Sequence, residues 1–146
     1  MKRRVAVALV LALAGCGGEA PDAALSLPVP AGCDAARAPC ALSGTGLDVH
    51  LAVGPDAAPM RPFPLQVQAR LADGRIAGIS ARFEMRGMNM GLNRYRLRRG
   101  DDGTWRAEVI LPVCVSGRRD WRALLEVRAA DGRVWRAAVP LSLGSG

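Results

Sequence analysis

The sequence predicts an all-β protein made of short antiparallel strands. From about residue 46 onward, apolar and polar residues alternate in seven short runs, a pattern typical of strands with one buried face. Three connections between these runs contain Asp-Gly, at 73–74, 102–103 and 131–132. Asp-Gly between alternating runs favours tight hairpins, because both residues tolerate positive φ. We therefore predict a seven-stranded antiparallel immunoglobulin-like β-sandwich, with a small barrel as the alternative.

Each of the seven predicted strands has one apolar face. In chain order these faces are formed by Leu47, Val49, Leu51 and Val53; Leu65, Val67, Ala69 and Leu71; Ala77, Ile79, Ala81, Phe83 and Met85; Tyr95 and Leu97; Trp105, Ala107, Val109 and Leu111; Trp121, Ala123, Leu125 and Val127; and Trp135, Ala137, Val139 and Leu141. Because successive side chains of a strand point to opposite faces, these residues form the predicted core. We expect no helix longer than a turn or two.

The N-terminus has the pattern of a secretory signal. Basic residues at 2–4 precede an apolar run from Val5 to Ala14, which is about half as long as a membrane-spanning helix. The run ends in small residues before Cys16, and this ending resembles the bacterial lipobox, whose cysteine is lipidated. A positive start, a short apolar run and a small-residue cleavage site predict a signal peptide over residues 1–15.

Lipidation of Cys16 would make this a membrane-anchored protein. We therefore expect the chain in the bacterial cell envelope, held to a membrane by its N-terminal lipid and facing the oxidising periplasm. Gly17 follows the cysteine where Asp would favour retention at the inner membrane, so the outer membrane is favoured. The competing interpretation is a soluble protein with an apolar N-terminal helix.

The segment after the signal is predicted to be a linker. Residues 16–45 are rich in Gly, Pro and Ala with little periodicity, which is typical of a flexible spacer between a lipid and a folded domain. We place the immunoglobulin-like β-sandwich domain at residues 46–146. No internal repeat and no second domain is expected.

Charge restricts the class of partner. The formal charge of +7 includes the basic residues of the predicted signal, so the remaining chain is only mildly basic. The four arginines of the fourth run either form a solvated strand face or steer an acidic partner. They are Arg94, Arg96, Arg98 and Arg99. We expect no nucleic-acid partner, because the predicted location is outside the cytoplasm.

Sulfur is concentrated in the connections that carry no Asp-Gly. If each strand crosses the sandwich once, successive connections lie at alternating ends, so the three Asp-Gly turns share one end. Segments 54–63, 86–92 and 112–120 then share the other end. They or their edges carry every methionine after Met1, and also one cysteine: Met60, Met85, Met88, Met90 and Cys114.

Thioether and thiolate sulfur are soft ligands that select Cu(I) among the metals of a cell. Thioethers also suit an oxidising compartment, because they need no deprotonation and are not lost to disulfides. We therefore predict a Cu(I) site formed by Met85, Met88 and Met90, with Cys114 as a fourth ligand. The competing interpretation is packing, because methionine fills irregular gaps and Met85 continues the apolar face of its strand. Met60 is predicted to pack, and His50 to be an ordinary surface residue.

The cysteines leave two pairings open. Cys33 and Cys40 are seven residues apart, a spacing that closes easily into a local loop, and this is the disulfide we favour. Cys114 would then be free to bind Cu(I). Alternatively Cys33 or Cys40 pairs with Cys114, which would leave only thioethers at that end of the molecule. Either pairing leaves an odd thiol once Cys16 is lipidated.

Two stretches, "FEMRGMNMGLNRYRL" and "DGTWRAEVILPVCVSGRRDWRALLEV", resemble the YtkA-like and FixH-like periplasmic domains. The resemblance covers roughly residues 46 to 142. It implies an immunoglobulin-like fold and a role in copper handling, often linked to cytochrome oxidase assembly. Met85, Met88 and Met90 match the methionine segment of those domains. Cys114 stands where they tend to have a methionine, so a thiol replaces a thioether there.

The sequence therefore supports two functions of different classes. The first is a lipid-anchored Cu(I)-binding protein that holds copper or delivers it to a copper acceptor or respiratory-oxidase assembly protein. The second is a metal-free structural or protein-interaction lipoprotein of the envelope with a methionine-rich contact patch. We expect no enzymatic activity, because the single histidine, His50, has no nucleophile or carboxylate partner in the sequence and no Cys-x-x-Cys pair is present.

Overall fold

The computed structural model describes residues 23–144, and this part of the chain contains ten β-strands and no helix. The strands are β1 (Leu25–Ser26), β2 (Cys40–Gly44), β3 (Leu47–Ala52), β4 (Phe63–Leu71), β5 (Ile76–Met85), β6 (Arg94–Arg96), β7 (Arg98–Arg99), β8 (Trp105–Val109), β9 (Asp120–Ala129) and β10 (Val134–Ser142). The predicted all-β class is therefore confirmed. With only strands, residues 23–144 offer no helix long and apolar enough to cross a membrane.

The strands form two five-stranded sheets around one hydrophobic core. The strand order is β1-β10-β9-β5-β6 in the first sheet and β2-β3-β4-β8-β7 in the second. Inward-facing residues of both sheets belong to a single cluster of buried side chains, of which Trp121 and Trp135 are the largest. Two sheets that enclose one core have the layer arrangement of a β-sandwich. The finer immunoglobulin-like assignment stays a prediction.

The alternation read from the sequence locates most of this core. In β9 and β10 every predicted inward residue is buried, because the strand period of two is intrinsic to the extended backbone. Four predicted core residues are only half-buried, namely Ala69, Leu71, Tyr95 and Ala107, and Ala77 in β5 is exposed. The register of β5 on β9 shifts between Ile76 and Gly78, and this bulge interrupts the alternation at Ala77.

The predicted count of seven strands is wrong. The fourth run forms two short strands in different sheets: β6 pairs with β5 in the first sheet, and β7 pairs with β8 in the second. Leu97 lies between them with its side chain buried and its N–H bonded to the carbonyl of Ile79 at 2.9 Å. The chain therefore passes from one sheet to the other at Leu97. The remaining two additional strands come from the N-terminal segment.

The predicted linker is wrong over the part of it that the structure describes, residues 23–45. β1 pairs with β10, in the single parallel pairing of the described strands, and β2 forms the edge of the second sheet. Leu27 and Leu42 are buried in the core. The alternation in β1 and β2 is short and is surrounded by Pro and Gly, so the sequence pattern did not predict these strands. The predicted signal peptide, Cys16 and residues 17–22 lie outside the described residues.

Two of the three Asp-Gly connections are the hairpins that the sequence predicts. Those at 102–103 and 131–132 join the antiparallel pairs β7–β8 and β9–β10. The connection at 73–74 is not a hairpin, because it leads from β4 in the second sheet to β5 in the first. A hairpin that the sequence analysis missed joins β2 to β3 at Thr45-Gly46, where both residues have positive φ. These four turns lie at one end of the sandwich, the turn pole.

Candidate metal site

Three connecting segments meet at the opposite end of the sandwich, as the strand order predicts. They are residues 53–62, 86–93 and 110–119, and we call this end the methionine pole. The N–H of Met60 donates to the carbonyl of Leu111 at 2.8 Å, which joins the first segment to the third. The guanidinium of Arg118 donates to the carbonyl of Arg86 at 3.2 Å, which joins the third segment to the second.

Two of the predicted sulfur ligands are in direct contact at this pole. The Sγ atom of Cys114 lies 3.5 Å from the Sδ atom of Met88, although the residues are 26 positions apart in the chain. Met88 reaches this position because the chain turns sharply after β5, at Gly87, which has a φ of 75°. The N–H of Met88 closes the turn by donating to the carbonyl of Met85 at 3.2 Å.

Cys114 lies in an environment that favours its thiolate. Its side chain is buried, and its Sγ lies 3.0 Å from the hydroxyl of Ser116. Hydrogen bonds from the Ser116 hydroxyl and backbone lower the pKa of the Cys114 thiol, and the nearby charge of Arg118 adds to this effect, while burial opposes it. The thiolate is the form of cysteine that binds metals, so this environment favours the metal-binding form of the side chain.

The other two predicted ligands have different surroundings. Met85 is only 1% exposed, at the end of β5 opposite Trp121 of β9, so its side chain belongs to the core. Met90 is half-buried and packs against the core from the loop. The side-chain amide of Asn93 donates to the carbonyl of Met90 at 2.7 Å and so holds the loop around it. The sulfur contact that the structure shows therefore involves Met88 and Cys114.

Two further residues have side chains that can bind metals, Met60 and His50, and the sequence predicts neither as a ligand. Met60 is 66% exposed and has a positive φ of 60°, so the prediction that it packs into the protein is wrong. Its backbone, rather than its side chain, contacts Leu111. His50 is exposed in the middle of β3, between Ala41 of β2 and Gln68 of β4, as expected of a surface residue.

The structure contains the first of the two cysteine pairings considered. Cys33 and Cys40 form a disulfide with their Cα atoms 5.6 Å apart, which ties the segment before β2 to the start of that strand. Cys114 is a free, buried thiol. A thiol that is not used in a disulfide stays available to a metal.

Three residues that the sequence analysis did not assign to the site support it. The Tyr95 hydroxyl binds both the carbonyl and the N–H of Ile110, at 2.7 and 3.2 Å. Arg118 bridges to the neighbouring loop and also forms an ion pair with Asp120 at 2.5 Å. The hydroxyl of Ser116 forms a hydrogen bond with the thiol of Cys114. Its position two residues after Cys114 was the one available sequence signal, whereas the contacts of Tyr95 and Arg118 depend on the tertiary fold.

The sulfur pair is close to the separation that one metal ion requires. With metal–sulfur bonds of about 2.3 Å, two ligand sulfurs lie about 3.8 Å apart in tetrahedral geometry and about 4.0 Å apart in trigonal geometry. The observed 3.5 Å between Met88 and Cys114 is therefore a few tenths of an ångström short, and small side-chain rotations would open it. Residues 23–144 contain no cluster of three or more His, Cys, Asp and Glu arranged for a metal.

Comparison with known proteins assigns no family. No protein-family model matches the sequence, and no curated protein or solved structure matches it at a significant level. The residues and geometry of the methionine pole are therefore the basis for a functional proposal.

Proposed function

We propose that this protein binds Cu(I) at the methionine pole. The observation that carries the proposal is the contact between Met88 and Cys114, which brings a thioether and a thiol from two different loops together. Met90, half-buried in the same loop as Met88, is the third proposed ligand. Met85 packs beneath them in the core and is the least suited of the four to reach a metal.

The donor chemistry favours copper in its reduced form. Cu(I) accepts low coordination numbers and prefers soft sulfur, whereas harder divalent ions prefer imidazole or oxygen. Two thioethers and one thiolate would give a three-coordinate site that needs no histidine. The resemblance of residues 46 to 142 to YtkA-like and FixH-like domains supports the same metal. It also supports an immunoglobulin-like classification of the two sheets.

The protein is proposed to hold or deliver copper from a membrane anchor. The N-terminal pattern ending at Cys16 supports a lipid-anchored protein of the bacterial envelope that faces the periplasm. In that compartment the Cys33–Cys40 disulfide would persist. The recipient is proposed to be a copper acceptor or an assembly protein of a respiratory oxidase, as the resemblance implies.

A competition titration tests the metal site directly. Full-length protein in detergent would be titrated with Cu(I) against a chromogenic chelator under anaerobic conditions, beside Met88→Leu and Cys114→Ala variants. The parent should bind one equivalent of Cu(I). Each variant should bind at least about tenfold more weakly, because even changes outside the first ligand shell commonly cost that much in metal affinity.

Met60→Leu is the matched control. It removes a thioether from the same pole, but from a side chain that is 66% exposed, and the residue contacts Leu111 through its backbone N–H. Its affinity should equal that of the parent. Equal Cu(I) affinity in the parent, Met88→Leu and Cys114→Ala proteins, all folded by circular dichroism, would refute the proposed site.

A further inference from the structure

Among residues 23–144, large exposed apolar side chains are confined to the methionine pole. Within residues 23–144, the large apolar side chains that are exposed to solvent all lie in its three segments, and the turn pole has none. They are Met60, Leu92, Ile110, Val113 and Val115, with exposed fractions from 45% to 99%. A single exposed apolar residue needs no explanation, but a collection at one end of a molecule marks a contact surface.

The segments that carry this apolar surface also carry an excess of positive charge. The three segments of the methionine pole contain four arginines and one aspartate, whereas turn-pole segments 72–75, 100–104 and 130–133 contain two arginines and four aspartates. Arg61, Arg86 and Arg119 are exposed and form no ion pair with any residue that the structure describes. These guanidinium groups are therefore free to attract negative charge.

The N-terminal chain enters the fold at the opposite pole. Leu25, the first residue of β1, lies beside Trp135, just after the turn that precedes β10. Nine peptide units separate Cys16 from Leu25, and they span at most about 30 Å. β10 itself is nine residues long, which corresponds to about 30 Å. A lipid at Cys16 would thus attach the domain to its membrane through the turn pole, the end opposite the methionine pole.

We propose that the methionine pole is the docking surface for a periplasmic protein partner that presents an apolar centre ringed by acidic side chains. The orientation in this proposal rests on the lipid anchor of the proposed function, but the docking surface itself does not depend on copper. The apolar side chains supply the contact area, and the free arginines supply the complementarity to an acidic rim. Because the surface consists of three short segments, the interface belongs to the small class typical of transient complexes.

Docking would cover the candidate metal site. Leu92 follows the loop that carries Met88 and Met90, and Val113 and Val115 flank Cys114 on both sides in the chain. A partner seated on these residues would therefore contact the same two loops that carry Met88 and Cys114. This places a copper acceptor, if the bound metal is transferred, at the end of the molecule where the ligands are.

Site-specific photocrosslinking in the host bacterium tests the docking surface. A photoreactive phenylalanine would replace Leu92 or Val115 in the full-length protein, and Ala72 or Ala130, both exposed at the turn pole, would serve as matched control positions. We expect a discrete adduct with one other protein from the first two positions and none from the controls. Mass spectrometry of the adduct should map the crosslink to an apolar patch bordered by Asp and Glu.

Charge reversal provides the second readout. An Arg61→Glu/Arg86→Glu/Arg119→Glu variant should lower the adduct yield at least about threefold, since rim charges control association. Reversal of three exposed arginines elsewhere, Arg75, Arg96 and Arg98, should leave the yield unchanged. Adducts with lipid alone, with a second copy of this chain, or with no molecule would each overturn the proposal, as would equal effects of the two triple variants.

The same crosslinking in a Met88→Leu/Cys114→Ala background separates this proposal from the copper site. Adducts that persist there support docking through the apolar and basic groups even if the copper titration fails. Adducts that disappear there would show that the sulfur pair is required, and would overturn docking as a property of the surrounding surface.

Discussion

The hydroxyl of Tyr95 in β6 both donates to the carbonyl of Ile110 at 2.7 Å and accepts from its N–H at 3.2 Å. Ile110 is the first residue of the segment that carries Cys114, and Tyr95 follows the loop that carries Met88. The ring of Tyr95 is fixed from behind by an edge-to-face contact with Phe83, 5.8 Å between ring centroids. One side chain therefore sets the spacing of the two loops whose sulfurs meet.

Tyr95→Phe should loosen this spacing while keeping the ring contact. Loss of the two hydrogen bonds should lower the free energy of unfolding by about 1 kcal/mol, because water partly replaces them at the exposed Ile110. Cu(I) affinity should fall by about threefold to tenfold as the Cys114 segment moves relative to Met88. Urea unfolding and chelator competition measure the two effects. Unchanged affinity beside lowered stability would show that Tyr95 has no part in positioning the site.

Ser116→Ala should raise the pKa of the Cys114 thiol. The lowered pKa of the native thiol means that the folded state releases this proton at lower pH than the unfolded chain. The resulting stabilisation is present above the ordinary thiol pKa and is lost as pH falls through the native one. The ultraviolet absorbance of the thiolate should therefore titrate at higher pH in the metal-free variant, and the extra stability of the native protein at alkaline pH should disappear.

Ser116→Thr is the control for this experiment, because it keeps a hydroxyl two residues after Cys114. It should retain most of the lowered pKa. A thiol that titrates identically in the parent, Ser116→Ala and Ser116→Thr proteins would contradict the role given to Ser116.

Met85→Leu should separate the core methionine from the proposed ligands. The side chain is 1% exposed and lies opposite Trp121, so a replacement of similar volume should change the free energy of unfolding by less than about 1.5 kcal/mol. Cu(I) affinity should stay within about threefold of the parent, in contrast to Met88→Leu. Chelator competition measures the Cu(I) affinity of both variants. If Met85→Leu lost as much affinity as Met88→Leu, Met85 would have to be counted as a ligand.

Removal of the disulfide should affect stability and leave the metal site intact. A Cys33→Ala/Cys40→Ala variant loses a cross-link of sequence separation 7, for which loop closure entropy gives about 2 kcal/mol. Urea unfolding should show this loss. Cu(I) affinity should match that of the parent, because Cys114 is the free thiol. A drop in affinity would implicate the disulfide region in the site.

Leu27→Ala tests whether the N-terminal segment is part of the fold. Leu27 is 2% exposed, and its N–H donates to the carbonyl of Arg136 at 2.9 Å. Truncating this buried side chain should lower the free energy of unfolding by about 2–4 kcal/mol. Pro28→Ala, at an exposed neighbouring position, is the control and should have a small effect. A flexible linker would tolerate both substitutions equally.

The local sequence pattern was sufficient to predict most strands and the grouping of methionine and cysteine at the methionine pole. The alternation that predicts β9 and β10 is a property of neighbouring residues, so no knowledge of the partner strands was needed. The same pattern failed at Leu97, where one alternating run supplies strands to both sheets. It also failed at Leu25–Ser26, where a two-residue strand is too short to show a period. Met85 could be identified as core by its phase in β5, but the exposure of Met60 could not be anticipated.

By itself the sequence determined the all-β class, the inward faces of the long strands and the presence of methionine and cysteine in connections at one end, because extended backbone and tight turns are encoded by adjacent residues. Only the tertiary structure decided that β1 adds in parallel to β10, that the chain crosses between sheets at the 73–74 turn, and that Met88 meets Cys114. These features depend on pairing between distant strands. Which loops then come into contact is decided by the closure of the two sheets around their shared core.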